Sequence, residues 1–183
     1  MLQIDHRESH DVDLFLGDPQ ILPFLNPTTQ GYRLDRQPDG YEGDGAHVAK
    51  LIFDGIGEID FICCGSITSK PVQQCEVSGR LVQLETPAEI VAKKIHYRGS
   101  RLQPRDMFDV AAVIHRCGED YVVDALRACG TGRCAEALAV ADAMDPAFAS
   151  DLMRRLMLRE HNRHLPSKAQ SATRAVLRAA LDL

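Results

Sequence analysis

The pattern of apolar residues changes once along this chain, and that change limits what the chain can fold into. Up to residue 85, short runs of alternating apolar and polar residues are separated by turns, which is typical of β-strands. From Thr86 onward the apolar residues recur at helical spacing. Strands followed by helices predict an α+β protein, with a small mixed or antiparallel sheet in residues 1–85 and a helical C-terminal lobe in residues 86–183.

The predicted elements follow from these two periods. Strands are expected within residues 11–16, 31–37, 46–55, 56–64 and 72–84. Helices are expected over about 87–98, 104–118, 119–129, 133–144, 146–161 and 167–183. Thr86 is predicted to cap the first of these helices, with Glu89 at the capping-box position.

Composition excludes several classes of protein. With 183 residues, of which 45% are hydrophobic, the chain can form one compact domain or two small lobes. A net charge of -5 argues against a globally basic nucleic-acid binder, so any contact with nucleic acid has to be local. The six cysteines form no CxxC pair, which indicates free thiols in a reducing cytosol. No stretch approaches the ~20 apolar residues of a membrane span, and we expect a soluble cytoplasmic protein.

Two acids stand close together in the first predicted strand. Asp11 and Asp13 are two positions apart and therefore point to the same side of that strand, where both can bind Mg²⁺. Asp60, on the polar side of another strand, is the best candidate for a third carboxylate. A site of this type activates an attacking hydroxyl and neutralises nucleotide phosphates. The alternative is that Asp11 and Asp13 form the solvated edge of an ordinary strand.

A second group of charged residues lies on two predicted helices. In the first helix Lys94 falls within the apolar stripe and Lys93 on the opposite side. An inward lysine requires a charged partner, and Asp106 and Asp109 of the next helix are candidates. From the residues alone, a structural ion pair between Lys94 and Asp106 and a catalytic role both stay open.

The motifs together resemble a known family. The segments "HRESHDVDLFL", the strand with Asp60, "TPAEIVAKKIHYRG" and "RDMFDVAAVI" occur in the order found in the AbiEii/AbiGii toxin family of nucleotidyltransferases, within the DNA polymerase β-like superfamily. This resemblance covers residues 1–115, and the last 70 or so residues resemble the family only as a helical lobe. Members transfer a nucleotide from an NTP to an acceptor, in some cases the end of a tRNA, and are usually encoded beside an antitoxin.

The resemblance implies a role for each matching residue. Asp11 and Asp13 would hold the catalytic Mg²⁺, while Asp60 is placed mainly by strand geometry. Lys94 would contact the nucleotide's phosphates. The element formed by Arg105, Asp106 and Asp109 would line the same pocket. His6, Arg7 and His10 lie just before the acid pair in the sequence, and we expect them to orient it or to contact phosphate.

The sequence also departs from the family. Polymerase β-like transferases carry a Gly-Gly or Gly-Ser turn before the acid pair, where backbone amides bind the triphosphate. Only ten residues precede Asp11, and none is glycine. We therefore expect a shortened N-terminus that lacks a strand and a phosphate loop. This leaves two alternatives to an active transferase: a catalytically inactive relative that acts as a binding or interaction module, and a phosphate-binding hydrolase that needs no acceptor.

Overall fold

The computed structural model describes residues 1–182, which fall into two units. A sheet unit comprises residues 9–65, and a helical unit comprises residues 1–8 together with 66–182. The first eight residues belong to the helical unit because Arg7 pairs with Leu158 in an antiparallel bridge and Glu8 N donates to Met157 O at 2.9 Å. The predicted boundary after residue 85 therefore differs from the division seen in the structure.

The sheet unit contains a mixed sheet, in agreement with the predicted α+β class. Its elements are β1 (Val12–Leu16), a 3-10 helix (Pro19–Leu25), α1 (Pro27–Gln30), β2 (Gly40–Gly43), β3 (Val48–Phe53) and β4 (Gly57–Cys63). The strand order is β1-β4-β3-β2, with β1 parallel to β4 and the other neighbours antiparallel. The prediction of a strand over residues 31–37 is wrong. Its apolar residues Tyr32 and Leu34 are exposed, so their alternation does not reflect a buried face.

The two faces of this sheet differ in chemistry. On one face Ala49 and Leu51 of β3 are buried, and Leu22 of the 3-10 helix, which packs against β3, is buried as well. Because side chains alternate along a strand, the residue between them, Lys50, lies on the other face together with its partner Asp60 of β4. The apolar face supplies the core of the unit, which leaves the charged face for polar contacts.

The helical unit combines a hairpin with a set of packed helices. Its elements are β5 (Val72–Val77), β6 (Arg80–Glu85), α2 (Pro87–Arg98), a 3-10 turn (Gly99–Arg101), α3 (Pro104–Cys117), α4 (Glu119–Arg127), α5 (Thr131–Ala143), α6 (Pro146–Arg154), a second 3-10 turn (Glu160–Asn162) and α7 (Pro166–Ala180). Helix α3 packs against α2, α4, α6 and α7. Its apolar residues Met107, Phe108 and Val113 are therefore completely buried in the core.

Most predicted helices are present, and one ends early. Helix α6 stops at Arg154 and not near residue 161, because the backbone beyond it pairs with the N-terminal segment, where Arg159 N donates to His6 O at 3.3 Å. Thr86 caps α2 as predicted, accepting a hydrogen bond from Glu89 N at 3.3 Å.

Glu89 has a different role from the one predicted. It does not complete the capping box but is fully buried, and its carboxylate accepts hydrogen bonds from Ile67 N, Thr68 N and Thr68 Oγ1 at 2.7 to 2.8 Å. Glu89 thereby attaches the chain ahead of the β5-β6 hairpin to α2.

We expect the Glu89→Ala substitution to lower the free energy of unfolding of the helical unit by about 3 kcal/mol, because it removes a fully buried carboxylate and leaves the half-buried backbone donors of Ile67 and Thr68 without an acceptor. Urea denaturation followed by circular dichroism measures this. Glu136→Ala, which removes a half-exposed ion pair with Arg133, is the control and should change stability by about 0.5 kcal/mol or less. Equal losses in the two variants would contradict the anchoring role of Glu89.

Candidate functional site

Two of the three predicted metal ligands lie side by side in the sheet unit. The register of the parallel pair β1-β4 places Asp13 opposite Asp60, and the antiparallel pair β3-β4 places Lys50 opposite Asp60. Partners in register project from the same face of a sheet. The charged face of the sheet therefore carries a row of three ionisable groups, Asp13, Asp60 and Lys50, across three adjacent strands.

The electrostatics of Asp60 differ from those of an ordinary surface acid. Its Oδ1 atom is buried, lies 3.5 Å from Lys50 Nζ, and has no hydrogen-bond partner among residues 1–182. Burial raises the pKa of the Asp60 carboxyl, and the neighbouring Asp13 carboxylate acts in the same direction against the charge of Lys50. Lys50 also donates a hydrogen bond to Glu58, which raises the pKa of the lysine. Lys50 is thus shared between two carboxylates, those of Glu58 and Asp60.

Asp11 lies at the start of the same strand but has another partner. Its Oδ1 atom accepts a hydrogen bond from Glu58 N at 3.2 Å. Next to it the backbone of Gly57 passes so close to His10 that a Cβ atom at position 57 would lie 2.3 Å from the His10 carbonyl oxygen. Only glycine allows this approach, which brings the beginnings of β1 and β4 together. Asp11 therefore helps to join the two strands.

The donor set suits a hard cation. Magnesium prefers carboxylate oxygens and is commonly held by one or two carboxylates together with water and phosphate oxygens. Asp13 and Asp60 supply such a pair, and Lys50 lies 3.5 Å from the Asp60 oxygen that has no hydrogen bond. Within the described residues, however, no group of three His, Cys, Asp or Glu side chains is arranged to hold a metal ion. The structure thus brings two of the predicted ligands together, with Asp11 near them in sequence but bonded to backbone.

Lys94 occupies the centre of a second cluster, in the helical unit. Its ammonium nitrogen lies 3.0 Å from Asp106 Oδ1 and 3.0 Å from Asp109 Oδ2, so that α2 and α3 are joined by two ion pairs. The predicted pairing of Lys94 with Asp106 is present. Lys94 is 17% exposed, whereas both carboxylates are almost completely buried. Asp106 also accepts a hydrogen bond from Gln103 N at 3.2 Å at the start of α3.

Asp109 collects further donors from the N-terminal segment. His6 Nε2 lies 2.7 Å and Arg7 Nε 3.0 Å from its Oδ1 atom. Burial would raise the pKa of the Asp109 carboxyl, but the hydrogen bond from His6, the charge of Lys94 and the hydrogen bond from Arg7 outweigh burial and hold that pKa well below its usual range. Asp109 is therefore an anion that several donors hold in place.

His6 is a buried, neutral member of this cluster. Burial lowers the pKa of His6, against the hydrogen bond and the negative charge of Asp109. Its ring stacks on Phe108 at a centroid distance of 5.8 Å, and its Nδ1 atom has no hydrogen-bond partner among residues 1–182. With the proton on Nε2, the ring donates to Asp109. The backbone of His6 is fixed as well, since Asn162 Nδ2 donates to its carbonyl oxygen at 3.2 Å.

The remaining predicted residues differ from expectation. The side chain of Arg105 is exposed and makes no ion pair or hydrogen bond among the described residues, so it does not join the cluster. Lys93 was placed on the side opposite to Lys94 but is buried too, where it contacts Glu85 and lies 3.9 Å from Glu89. His6 and Arg7 contact Asp109 in the helical unit.

Sequence reasoning missed one residue of this cluster, Arg98. Its Nη1 atom lies 3.7 Å from Asp106 Oδ1. A signal for it exists, because Arg98 follows Lys94 by four positions and therefore lies on the same side of α2. The contacts of His6 with Asp109 have no such signal, since more than one hundred residues separate them.

Comparison with known proteins gives one match. The family model described as "Nucleotidyl transferase AbiEii toxin, Type IV TA system" matches residues 1–182. The chain belongs to the AbiEii toxin family. The match extends well beyond the motif-bearing residues 1–115 into the helices that follow. No curated protein and no solved structure matches the chain.

Membership of the AbiEii family places the chain among nucleotidyltransferase-like toxins of type IV toxin-antitoxin systems and implies an antitoxin as its counterpart. None of the helices within residues 1–182 has the length and apolar character needed to cross a bilayer.

Acid should weaken the helical unit of this AbiEii-family protein partly through His6. The unfolded chain binds a proton on His6 near pH 6.5, whereas the folded protein, in which the pKa is lower, does not. The contribution of His6 to stability is therefore complete above that pH and is lost as the pH falls through the folded pKa. Gln at position 6 keeps a donor but cannot titrate. Urea denaturation at about pH 7.5 and about pH 5 should show a larger loss for the wild type than for His6→Gln.

The control for this measurement is His161→Gln, which replaces an exposed histidine and should keep the wild-type pH dependence. If the wild type and His6→Gln lost stability in parallel as the pH fell, the neutral, buried state of His6 would be refuted.

Proposed function

We propose that this AbiEii-family chain is a metal-dependent nucleotidyltransferase that moves NMP from an NTP to a hydroxyl of an acceptor such as RNA, including the end of a tRNA. The observation that carries the proposal is the position of Lys94. Lys94 donates a hydrogen bond to Asp106 and forms an ion pair with Asp109, both at 3.0 Å, and a lysine ammonium has three N–H groups. One of these N–H groups would contact a phosphate oxygen, and the two carboxylates fix the position of the ammonium.

The sheet unit would hold the metal. Asp13 and Asp60 would bind Mg²⁺, with Asp11 joining them when its hydrogen bond to Glu58 N is released. Bound there, Mg²⁺ supplies electrostatic stabilisation of the charge on the transferring phosphate. The register of β1 and β4 supports this assignment, because it places Asp13 and Asp60 side by side on one face, where Mg²⁺ would compete with Lys50 for the Asp60 carboxylate.

The reaction is a displacement at the α-phosphate. The acceptor hydroxyl oxygen forms a bond to this phosphorus, the bond from the phosphorus to the bridging oxygen breaks, and pyrophosphate leaves with that oxygen. The hydroxyl proton is released to solvent. In this reaction Lys94 would hold the phosphates, and Asp106 and Asp109 would orient Lys94. Arg105 lies in the first turn of α3, and its exposed side chain has no partner among residues 1–182. It would contact phosphate from that position, apart from the Lys94 cluster.

A second candidate function, an inactive relative that binds a partner, is favoured by one observation. The described residues contain no group of three side chains arranged to hold a metal ion, and Asp11 is bonded to backbone. A binding module of this kind would bind nucleotide or the antitoxin without transferring a phosphate group. The two functions differ in whether label from an NTP becomes attached to RNA.

We expect Asp13→Asn to reduce transfer of label from α-³²P-labelled NTPs to RNA by at least about 100-fold, because one ligand of the metal loses its charge. The assay is run with Mg²⁺ and with each of the four NTPs, and labelled RNA is counted after electrophoresis. Asp35→Asn is the matched control, since Asp35 is an exposed acid of the same unit that makes no ion pair or hydrogen bond in the described part of the chain.

Three results of this assay contradict the proposal. Wild-type protein that binds NTP but transfers no label with any NTP would support the binding module. Release of free NMP or phosphate without labelled RNA would indicate a hydrolase. Full transfer by Asp13→Asn would remove Asp13 from the metal site.

A further inference from the structure

We infer that Arg98 is a phosphate-binding residue of the Lys94 cluster and gives that cluster the positive charge that a triphosphate requires. This inference rests on the proposed function and extends it, because it identifies which side chain other than Lys94 contacts the phosphates. The charges around Lys94 by themselves do not favour binding of an anion.

The two negative charges next to Lys94 exceed the single positive charge of its ammonium group. Asp106 and Asp109 both lie 3.0 Å from its ammonium nitrogen, and both are almost fully buried. One cation between two carboxylates is net negative, and a triphosphate approaching it would be repelled. Arg7 balances the second carboxylate through Nε at 3.0 Å and Nη2 at 3.4 Å, so these three groups and Arg7 together are close to neutral. A further cation is needed to make the cluster positive.

Arg98 is that cation. It follows Lys94 by one turn of α2, which places both on the same side of the helix. Its single ion pair within residues 1–182, to Asp106 Oδ1, is 3.7 Å long and is not a hydrogen bond. Its side chain is 48% exposed, compared with 17% for Lys94 and 21% for Arg7. The planar guanidinium of arginine matches two phosphate oxygens at once, and that of Arg98 retains donors for such a contact.

A purely structural role for Arg98 does not account for these contacts. Asp106 already accepts from Lys94 and from Gln103 N, at 3.0 and 3.2 Å. Removing Arg98 would therefore leave no buried carboxylate without a partner. An ion pair this long on a half-exposed side chain contributes little to stability. A substitution at Arg98 should consequently change anion binding and leave folding intact, which makes the inference testable.

Arg101 provides a matched control. It lies three positions further on, in the 3-10 turn that follows α2, and is exposed. It makes no ion pair or hydrogen bond within the part of the chain that the structure describes. Arg98→Ala and Arg101→Ala remove the same charge from neighbouring positions, so a difference between them reports on position and not on net charge.

The experiment measures binding of inorganic tripolyphosphate to the full chain by isothermal titration calorimetry at low salt. Arg98→Ala should weaken binding about 10-fold, because a charge-assisted contact is lost. Arg98→Lys should recover part of this loss, since it keeps the charge without the planar fork. Arg101→Ala should bind within about 2-fold of the wild type, reflecting only long-range charge. Urea denaturation should give the same stability for wild type, Arg98→Ala and Arg101→Ala.

The outcomes separate this inference from the proposed function. If Arg98→Ala binds tripolyphosphate like the wild type while Lys94→Ala does not, the role of Arg98 is refuted and that of Lys94 stands. If Arg98→Ala and Arg101→Ala weaken binding equally, the effect is general charge and the inference fails. If the wild type does not bind tripolyphosphate, the proposed role of Lys94 fails together with that of Arg98.

Discussion

The Asp109 carboxylate can remain charged in the interior of the helical unit only because His6, Arg7 and Lys94 all reach it. An isolated carboxylate at such a position would be strongly unfavourable, and removing one partner from a buried ion pair typically costs 3 to 5 kcal/mol. The N-terminal segment, α2 and α3 therefore have to meet at this point. The position of Lys94 depends mainly on this meeting of three segments at Asp109.

The two units differ in how completely their carboxylate oxygens are hydrogen-bonded. In the helical unit, both oxygens of Asp106 and both oxygens of Asp109 have donors. In the sheet unit, one buried oxygen of Asp60 has no hydrogen bond, and burial raises the pKa of that carboxyl. That oxygen faces Lys50 Nζ at 3.5 Å, and the side chain of Asp60 is 20% exposed. The network in the helical unit thus holds Lys94 in place, whereas the acids of the sheet unit share Lys50.

Much of the fold was predictable because local signals were strong. The switch from alternating to helical period at Thr86, the cap of α2 and the start of α3 at Pro104 all agree with the structure. The early end of α6 was not predictable, since Arg159 there bonds to a backbone carbonyl of the N-terminal segment. The strand predicted over residues 31–37 is absent although its local pattern is present. Its alternation is real, but no buried face accompanies it.

The candidate site was predictable in part. The sequence by itself determined the residue types and their periodicity: two acids on one side of a strand, a lysine within an apolar stripe, and Asp106 and Asp109 on the next helix. These follow from spacing, because strand and helix geometry fix which neighbours share a face. Only the tertiary structure decided which charges meet. His6 and Arg7 reach Asp109, Lys93 is buried beside Glu85, and Arg98 remains half exposed beside Lys94. Pairings between segments far apart in the chain depend on packing and desolvation, which no local pattern encodes.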